Sequence, residues 1–489
     1  MGRIVLPIDD IAEIVKGGLE SAGLRKGDPP NPNTGEWVVK QSNGDGKPAD
    51  PTAEKASQIF SRVADLAPMI SAAGQEIGES WRRSNYNERD FPELAESILL
   101  GSGLGDAVSI ESLANYLIEK RLQHRPGPNV GTSFGQPAVT LYSDPDAGST
   151  GFVIEALIWL DSTTSIHDHG FSGAFMVAQG SSLHSTFTFT AIDHVRADLL
   201  LGDLKWKFSE ILLPGDARQI KPGAGFIHSL FHMDHPSVTL VARTYSDRWV
   251  AQHSYHPPGV AFNDFHDPEP LATQLKMLSA LGRTGSSHFE SVAFSLIDDA
   301  DLWTTRRVLN LLYRQRDKFP FWTKLVAAAT ERHGRQRIDA LLSAAAATVR
   351  SLDIVKLRMS IHQPEHRFLL ALLLNVPDRS SIRSMIIDRN PGSDPDQKIL
   401  DWLTEMGGSG YLGFTPTPIS MLLLKMMLKD ATLADACLML SQVLATAELS
   451  DYEDELYALW HELHSTPLLQ SIVSDVTCHR CEGVLPLGR

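Results

Sequence analysis

Apolar residues recur along this chain with two different periods, and the change of period divides it. Residues 8–23 carry helical spacing, followed by a Pro/Gly/Asn/Asp-rich stretch, GDPPNPNTGEW through NGDGKPADPT, that reads as a linker. Residues 54–80 then place Ile59, Val63, Leu66, Met69 and Ile70 on one stripe, which predicts a long amphipathic helix. Two shorter helices are expected after it, one from Pro92 and one from the Ser109–Glu111 region to near Arg121.

From about Pro137 the period shortens. VTLYS, GFVIEALIWL, GAFMVAQG, STFTFTAI, WKFSEILL, GAGFIHSLF and SVTLVARTYS are short runs rich in β-branched and aromatic residues, separated by Gly, Asp and Pro clusters. Kept up for over a hundred residues, this spacing predicts an antiparallel double-sheet barrel. After HPPGVAFNDFHDPEP the pattern turns helical, with Leu271–Leu281, Leu302–Leu312, Phe321–Arg332, His366–Val376, Ile382–Ile387, Ile419–Leu428 and Leu433–Leu449 all expected as helices. The fold class is therefore mixed: a central antiparallel β-barrel with N-terminal helices and a large all-α C-terminal domain. The expected divisions are 1–53 (helix and linker), 54–134 (helices packing on the barrel), 135–262 (barrel) and 263–489 (helical domain).

Composition narrows the function. With 489 residues, 43% hydrophobic and 21% charged, the chain has the make-up of a soluble globular protein of more than one domain. A net charge of −15 argues against a general nucleic-acid or anionic-membrane surface. The longest apolar run, Phe368 to Val376, is too short to span a bilayer, and the start does not read as a secretory signal. Three cysteines do not make a disulfide framework, so a cytoplasmic protein is expected. Cys478 and Cys481 form a C-x-x-C without the second pair a zinc ribbon needs, and read as part of a flexible tail. His461 and His464 are three apart rather than the four of a zincin helix, and read as exposed helix residues.

The strongest chemical signal is a histidine constellation. His167 and His169 stand two apart on an expected strand, so their imidazoles share a face. His228 follows a glycine-rich turn, PGAG, on a second expected strand. Two ligands from one strand and a third from a neighbour make a facial cap with positions left for oxygen and substrate. Imidazole suits iron, zinc, copper or nickel, and affinity alone does not choose among them. The bland alternative is coincidence among eighteen histidines, which the PG-x-G-x-x-H turn about sixty residues on argues against.

His167-x-His169 with Gly180, then Gly215, Pro222, Gly225 and His228, resembles the two motifs of the cupin superfamily. Where cupins usually carry a glutamate ligand, this chain has Gly173 and Ala174. The departure points to the three-histidine branch, and SIHDHGFSGAF is similar to the corresponding stretch of cysteine (thiol) dioxygenases. The resemblance covers about residues 135–260. It implies Fe(II) on His167, His169 and His228, with zinc, nickel, manganese or copper as alternatives, and O2 with an anionic or thiol-bearing substrate as partners. The active-site tyrosine of that family maps to Tyr245, while its Ser and His relay positions are Val241 and Arg243. The cross-link cysteine maps to Ala174 and the carboxylate-gripping arginine falls near Leu141, so free cysteine fits poorly as substrate.

Arg243 and Tyr245 share a strand face, and Arg243 is a candidate donor to a substrate carboxylate or phosphate, or else a partner of an acidic residue such as Glu155. His184 either lines the pocket or is a hydrogen-bonded core histidine; His232 and His235 either tune the site through hydrogen bonds to its ligands or, on the blander and favoured reading, are polar surface residues beyond the strand. The expectation is a mononuclear non-haem iron oxygenase in which His167, His169 and His228 hold the metal and Tyr245 and Arg243 serve catalysis. The alternatives are a metal-dependent lyase or isomerase on the same site, and a non-catalytic ligand-sensing cupin whose helical domain contacts a partner. Nothing in the sequence fixes the oligomeric state, and a homodimer is compatible with it.

Overall fold

The computed structural model describes residues 66–120, 138–144, 151–160, 163–245, 252–263, 269–407, 412–436 and 446–473. The expected helix over 8–23, the linker, the start of the 54–80 helix and the Cys478/Cys481 tail lie outside the described residues. All described residues belong to one compact unit.

Four helices come first: α1 (Leu66–Arg83), α2 (Phe91–Gly101), α3 (Leu104–Ala107) and α4 (Ile110–Lys120). In α1, Leu66, Ile70, Ala73, Ile77 and Trp81 recur every three or four residues, and all are buried. Gly74 lets this face come close to the sheet, since a Cβ there would sit 2.3 Å from the Tyr142 ring.

Ten strands follow among the described residues: β1 (Ala138–Ser143), β2 (Phe152–Trp159), β3 (Gly173–Gln179), β4 (Ser182–Arg196), β5 (Leu199–Leu212), β6 (Ala217–Ile220), β7 (Ile227–His232), β8 (Ser237–Thr244), β9 (Ser254–His256) and β10 (Val260–Phe262). They form two five-stranded sheets, in the orders β1-β2-β8-β3-β6 and β7-β4-β5-β10-β9. Every pairing is antiparallel. The sheets are open rather than closed into one ring.

All eight residues of β2 are buried, and the layering gives the reason. Ile154, Ala156 and Ile158, with Leu240 and Ala242 of β8, pack outward against α1 and α2. Leu157 and Trp159, with Phe175, Val177 and Val241, pack inward against Leu212 of β5 and Leu230 of β7. A strand covered on both faces reads as a continuous apolar run, as GFVIEALIWL does.

The outer face of the second sheet is covered by helices after residue 268. α5 (Glu269–Arg283), α6 (Phe289–Asp298), α7 (Leu302–Tyr313), α8 (Trp322–His333) and α9 (Arg335–Ser360) share a core with Leu199, Leu201, Val260 and Phe262. α10 (Pro364–Asn375), α11 (Arg379–Arg389), α12 (Pro395–Met406), α13 (Pro418–Leu428), α14 (Thr446–Ser465) and α15 (Gln470–Val473) complete the helical set. α10 and its neighbours enclose Leu183, Phe231 and Met233. Arg358, fully buried on α9, donates from Nε (2.9 Å) and Nη2 (2.7 Å) to the His232 carbonyl, tying helix to strand. No helix among the described residues is long and apolar enough to cross a membrane.

β6, β9, β10, α3, α6, α9, α12 and α15 are elements that the apolar pattern does not announce. The expected helix Leu433–Leu449 falls mostly outside the described residues.

Candidate metal centre

His167 and His169 do not lie on a regular strand, which corrects the expectation. The segment around them threads between β7 and β9, making one bridge to each: His167 with His228, and His167 with Ser254. His167 N donates to the His228 carbonyl and His228 N to that of His167, both at 2.9 Å. On the other side Asp168 N reaches the His253 carbonyl (3.1 Å) and Tyr255 N that of Ile166 (2.8 Å). Asp168 locks this arrangement: its Oδ1 accepts from His253 N (2.6 Å) and its Oδ2 from the Tyr255 hydroxyl (2.8 Å). Gly223 N, in the turn before β7, donates to the His169 carbonyl at 2.7 Å. The segment is thus held by backbone bonds on both sides, although a run of SIHDHG has little strand propensity of its own.

The three imidazoles converge, with one ring nitrogen from each lying within 4.8 Å of the others. All three residues are buried. His167 Nδ1 donates to the Ser165 carbonyl (2.7 Å), which leaves its Nε2 as the lone-pair nitrogen. His169 Nε2 and His228 Nε2 are 2.9 Å apart. Two nitrogens bound at right angles to one ion, each at about 2.1 Å, would stand about 3 Å apart. The Nδ1 atoms of His169 and His228 are buried without a partner among the described residues.

Burial keeps the set neutral. It pushes His167 down to about 4, against the upward pull of its Ser165 hydrogen bond. His169 and His228 are driven well below the usual histidine range, by burial first and then by neighbouring imidazoles. Neutral imidazole is the form that binds a metal. The donors, their spacing and their protonation fit a divalent ion.

The surroundings are aromatic. Phe226 lies 4.4 Å from His228 and Phe171 4.7 Å from His169, ring centre to ring centre. Phe175 is 5.7 Å from His228. Among the described residues no carboxylate joins the cluster, and the fold explains why. A Cβ on Gly173 would meet the Ala242 carbonyl at 2.4 Å and Arg243 Cα at 3.0 Å, so this position tolerates glycine alone. Ala174 belongs to the outer core against the helices, facing away from the histidines. Leu141 is also in that outer core.

Arg243 and Glu155 both face inward and pair at 2.8 Å, Nε to Oε2. The guanidinium stands 5.1 Å from the Phe171 ring centre. Tyr245 is buried two residues further on, and burial pushes its hydroxyl up, so it keeps its proton at neutral pH.

His184 is buried on β4, and its Nδ1 meets Glu210 Oε1 at 2.9 Å. The expectation that His232 is a surface residue is wrong. It is fully buried on β7, stacked on Trp159 at 4.3 Å, because its side chain shares the inward face of His228 and Leu230. His235 is exposed, as expected, as are His461 and His464.

No protein-family model and no curated protein matches the sequence. Solved structures with partial likeness include an oxalate oxidase, 17% identical over 34% of this chain and 77% of its own, with a TM-score of 0.19. The DMSP lyase DddQ of Ruegeria pomeroyi DSS-3 is 12% identical over 39% of this chain and 96% of its own, with a TM-score of 0.21. TM-scores at this level carry no inference about fold or function.

Proposed function

We propose that this chain is a metal-dependent enzyme of the cupin type, and that its three-histidine centre serves oxygen chemistry on a small anionic or thiol-bearing substrate. The carrying observation is the convergence of three buried, neutral imidazoles with His169 Nε2 and His228 Nε2 only 2.9 Å apart. When bound, a divalent ion supplies Lewis acidity and, if it is Fe(II), the capacity to activate O2. With three donors and no carboxylate among the described residues, the site leaves positions for both reactants.

The chain's own residues supply binding and proton placement. Arg243 commits Nε to Glu155, while its terminal nitrogens have no protein partner among the described residues, so they are free to grip a substrate carboxylate. The Glu155 carboxylate fixes the guanidinium and balances its charge in a buried setting. Phe171, Phe175 and Phe226 exclude water, which strengthens the charged contacts inside. Tyr245 Oη keeps its proton and serves as donor to the substrate.

Protein purified and reconstituted anaerobically tests the reading. Iron uptake by the wild type, its loss in His228→Ala, and iron-dependent oxygen uptake across a panel of small thiols and carboxylates are expected. Turnover that needs zinc or nickel and no oxygen would replace oxygenase by lyase or isomerase. A chain indifferent to every metal would overturn the enzyme reading.

A further inference from the structure

Beside the three-histidine cluster, the interior of the fold holds a further buried histidine, His184. His184 is 1% exposed, with its ring centre 5.3 Å from that of His228, 5.7 Å from Phe175 and 5.8 Å from Phe226. It stands directly opposite Glu210 in the β4–β5 register, and its Nδ1 lies 2.9 Å from Glu210 Oε1. Arg218, on β6 of the other sheet, donates to the same carboxylate from Nε (2.9 Å) and from Nη2 (2.5 Å). The three side chains therefore bridge the two sheets beside the metal cluster.

This chain of contacts fixes the tautomer of His184. Burial works against charge on Glu210, but hydrogen bonds from His184 and Arg218 hold its carboxyl at about 2. A carboxylate only accepts, so His184 Nδ1 carries the proton and Nε2 presents a lone pair. That Nε2 is buried and finds no partner among the described residues. Buried polar atoms in folded proteins are almost always paired, so this lone pair beside the candidate site is open to a donor from a bound molecule. His184 stands outside the group of ring nitrogens that lie within 4.8 Å of one another, which makes it a neighbour of whatever binds there rather than a fourth metal ligand.

On the metal-centre reading above, we propose that His184 Nε2 accepts a hydrogen bond from an O–H, N–H or S–H group of the molecule held at the three-histidine centre. It is a specificity-determining residue, oriented by Glu210 and Arg218, that selects ligands carrying a donor next to their metal-binding atom. A ligand without the donor would bury the lone pair unpaired and bind more weakly.

The test uses the full chain loaded with cobalt(II), whose visible bands report ligand binding directly. Lactate and 2-methoxypropionate differ in one hydroxyl hydrogen replaced by methyl, and azide carries no hydrogen at all. Wild-type protein is expected to prefer lactate over 2-methoxypropionate by about tenfold, the value of one buried hydrogen bond. In His184→Leu that ratio should collapse to within about twofold while azide affinity stays put. Glu210→Leu, at a partly exposed position, releases the tautomer without altering the pocket wall and should lower the preference by about threefold. A preference of purely steric origin would survive both substitutions, and that result overturns the proposal, as does a wild type without preference. Failure of the wild type to take up cobalt overturns the metal reading and this inference together; uptake with an unmoved ligand ratio overturns this inference alone.

Discussion

Arg243 of β8 and Glu155 of β2 meet at 2.8 Å between the two sheets, and each side chain is 3% exposed. They lie on neighbouring strands, offset by one same-face position, since Val153 is opposite Arg243 and Val241 is opposite Glu155. Breaking such a pair leaves one uncompensated buried charge, which typically costs about 3–5 kcal/mol. Glu155→Leu is therefore expected to lower the urea unfolding free energy by roughly that amount. The double variant Glu155→Leu/Arg243→Met should recover most of the loss. A single-variant loss under about 1 kcal/mol would mean that the pair behaves as a solvated one.

Metal retention should follow the depressed protonation of the ligands. His167 titrates at about 4, and His169 and His228 lie well below their usual range because they are buried. Protons compete for an imidazole only below its folded-state pKa, so metal should persist at pH 6 and be lost as the pH approaches 4. Elemental analysis after equilibration at a series of pH values checks this, and loss centred above pH 6 would contradict it. In His228→Ala affinity should fall by more than the ten- to hundredfold (about 1.4–2.7 kcal/mol) typical of groups that only support a ligand.

The convergence of the three histidines was legible because it is written in spacing: His167 and His169 two apart, and His228 just past a glycine turn. The strands that pair into the sheets were legible wherever an apolar run is covered on both sides, as in β2. β9 and β10 were not, since three residues beside HPPG carry no period. The 26-residue helix α9 escaped because AAAA blurs the contrast between its faces and because Arg358, a charged residue, is one of its buried positions. The role of His184 depends on a β4–β5 register that brings Glu210 opposite it and on Arg218 arriving from the other sheet. Pairings of that range are set by tertiary structure, which no local pattern encodes.

Asp168 sits between two histidines of the cluster yet points away from them, toward β9. Its contacts with His253 N and the Tyr255 hydroxyl hold the ligand segment in place, and it is 1% exposed. Asp168→Ala leaves the buried Tyr255 hydroxyl and the His253 amide without this acceptor, at a cost of about 1–3 kcal/mol. Metal affinity should also fall, by about ten- to hundredfold, because the segment that positions His167 and His169 loosens. Calorimetric metal titration separates the two effects, and unchanged metal affinity in a destabilised variant would restrict Asp168 to a purely structural part.

His256 is expected to give the fold an acid sensitivity away from the histidine cluster. Its ring stacks on Phe262 at 4.5 Å and its Nδ1 meets Thr348 Oγ1 at 2.9 Å, joining β9 to α9. Burial, and then the Arg306 charge, push it down to about 3. The unfolded chain binds a proton at this residue below about 6.5, whereas the folded chain resists until about 3, so between those values the unfolded state holds more protons. The contribution is fully present above that window and is lost as the pH falls through it. His256→Phe keeps the ring and removes the titration, so its unfolding free energy should decline less steeply than the wild type's between pH 6.5 and 4 (about the upper part of that window). Denaturant titrations at several pH values measure both slopes, and parallel slopes would place the acid sensitivity elsewhere in the fold.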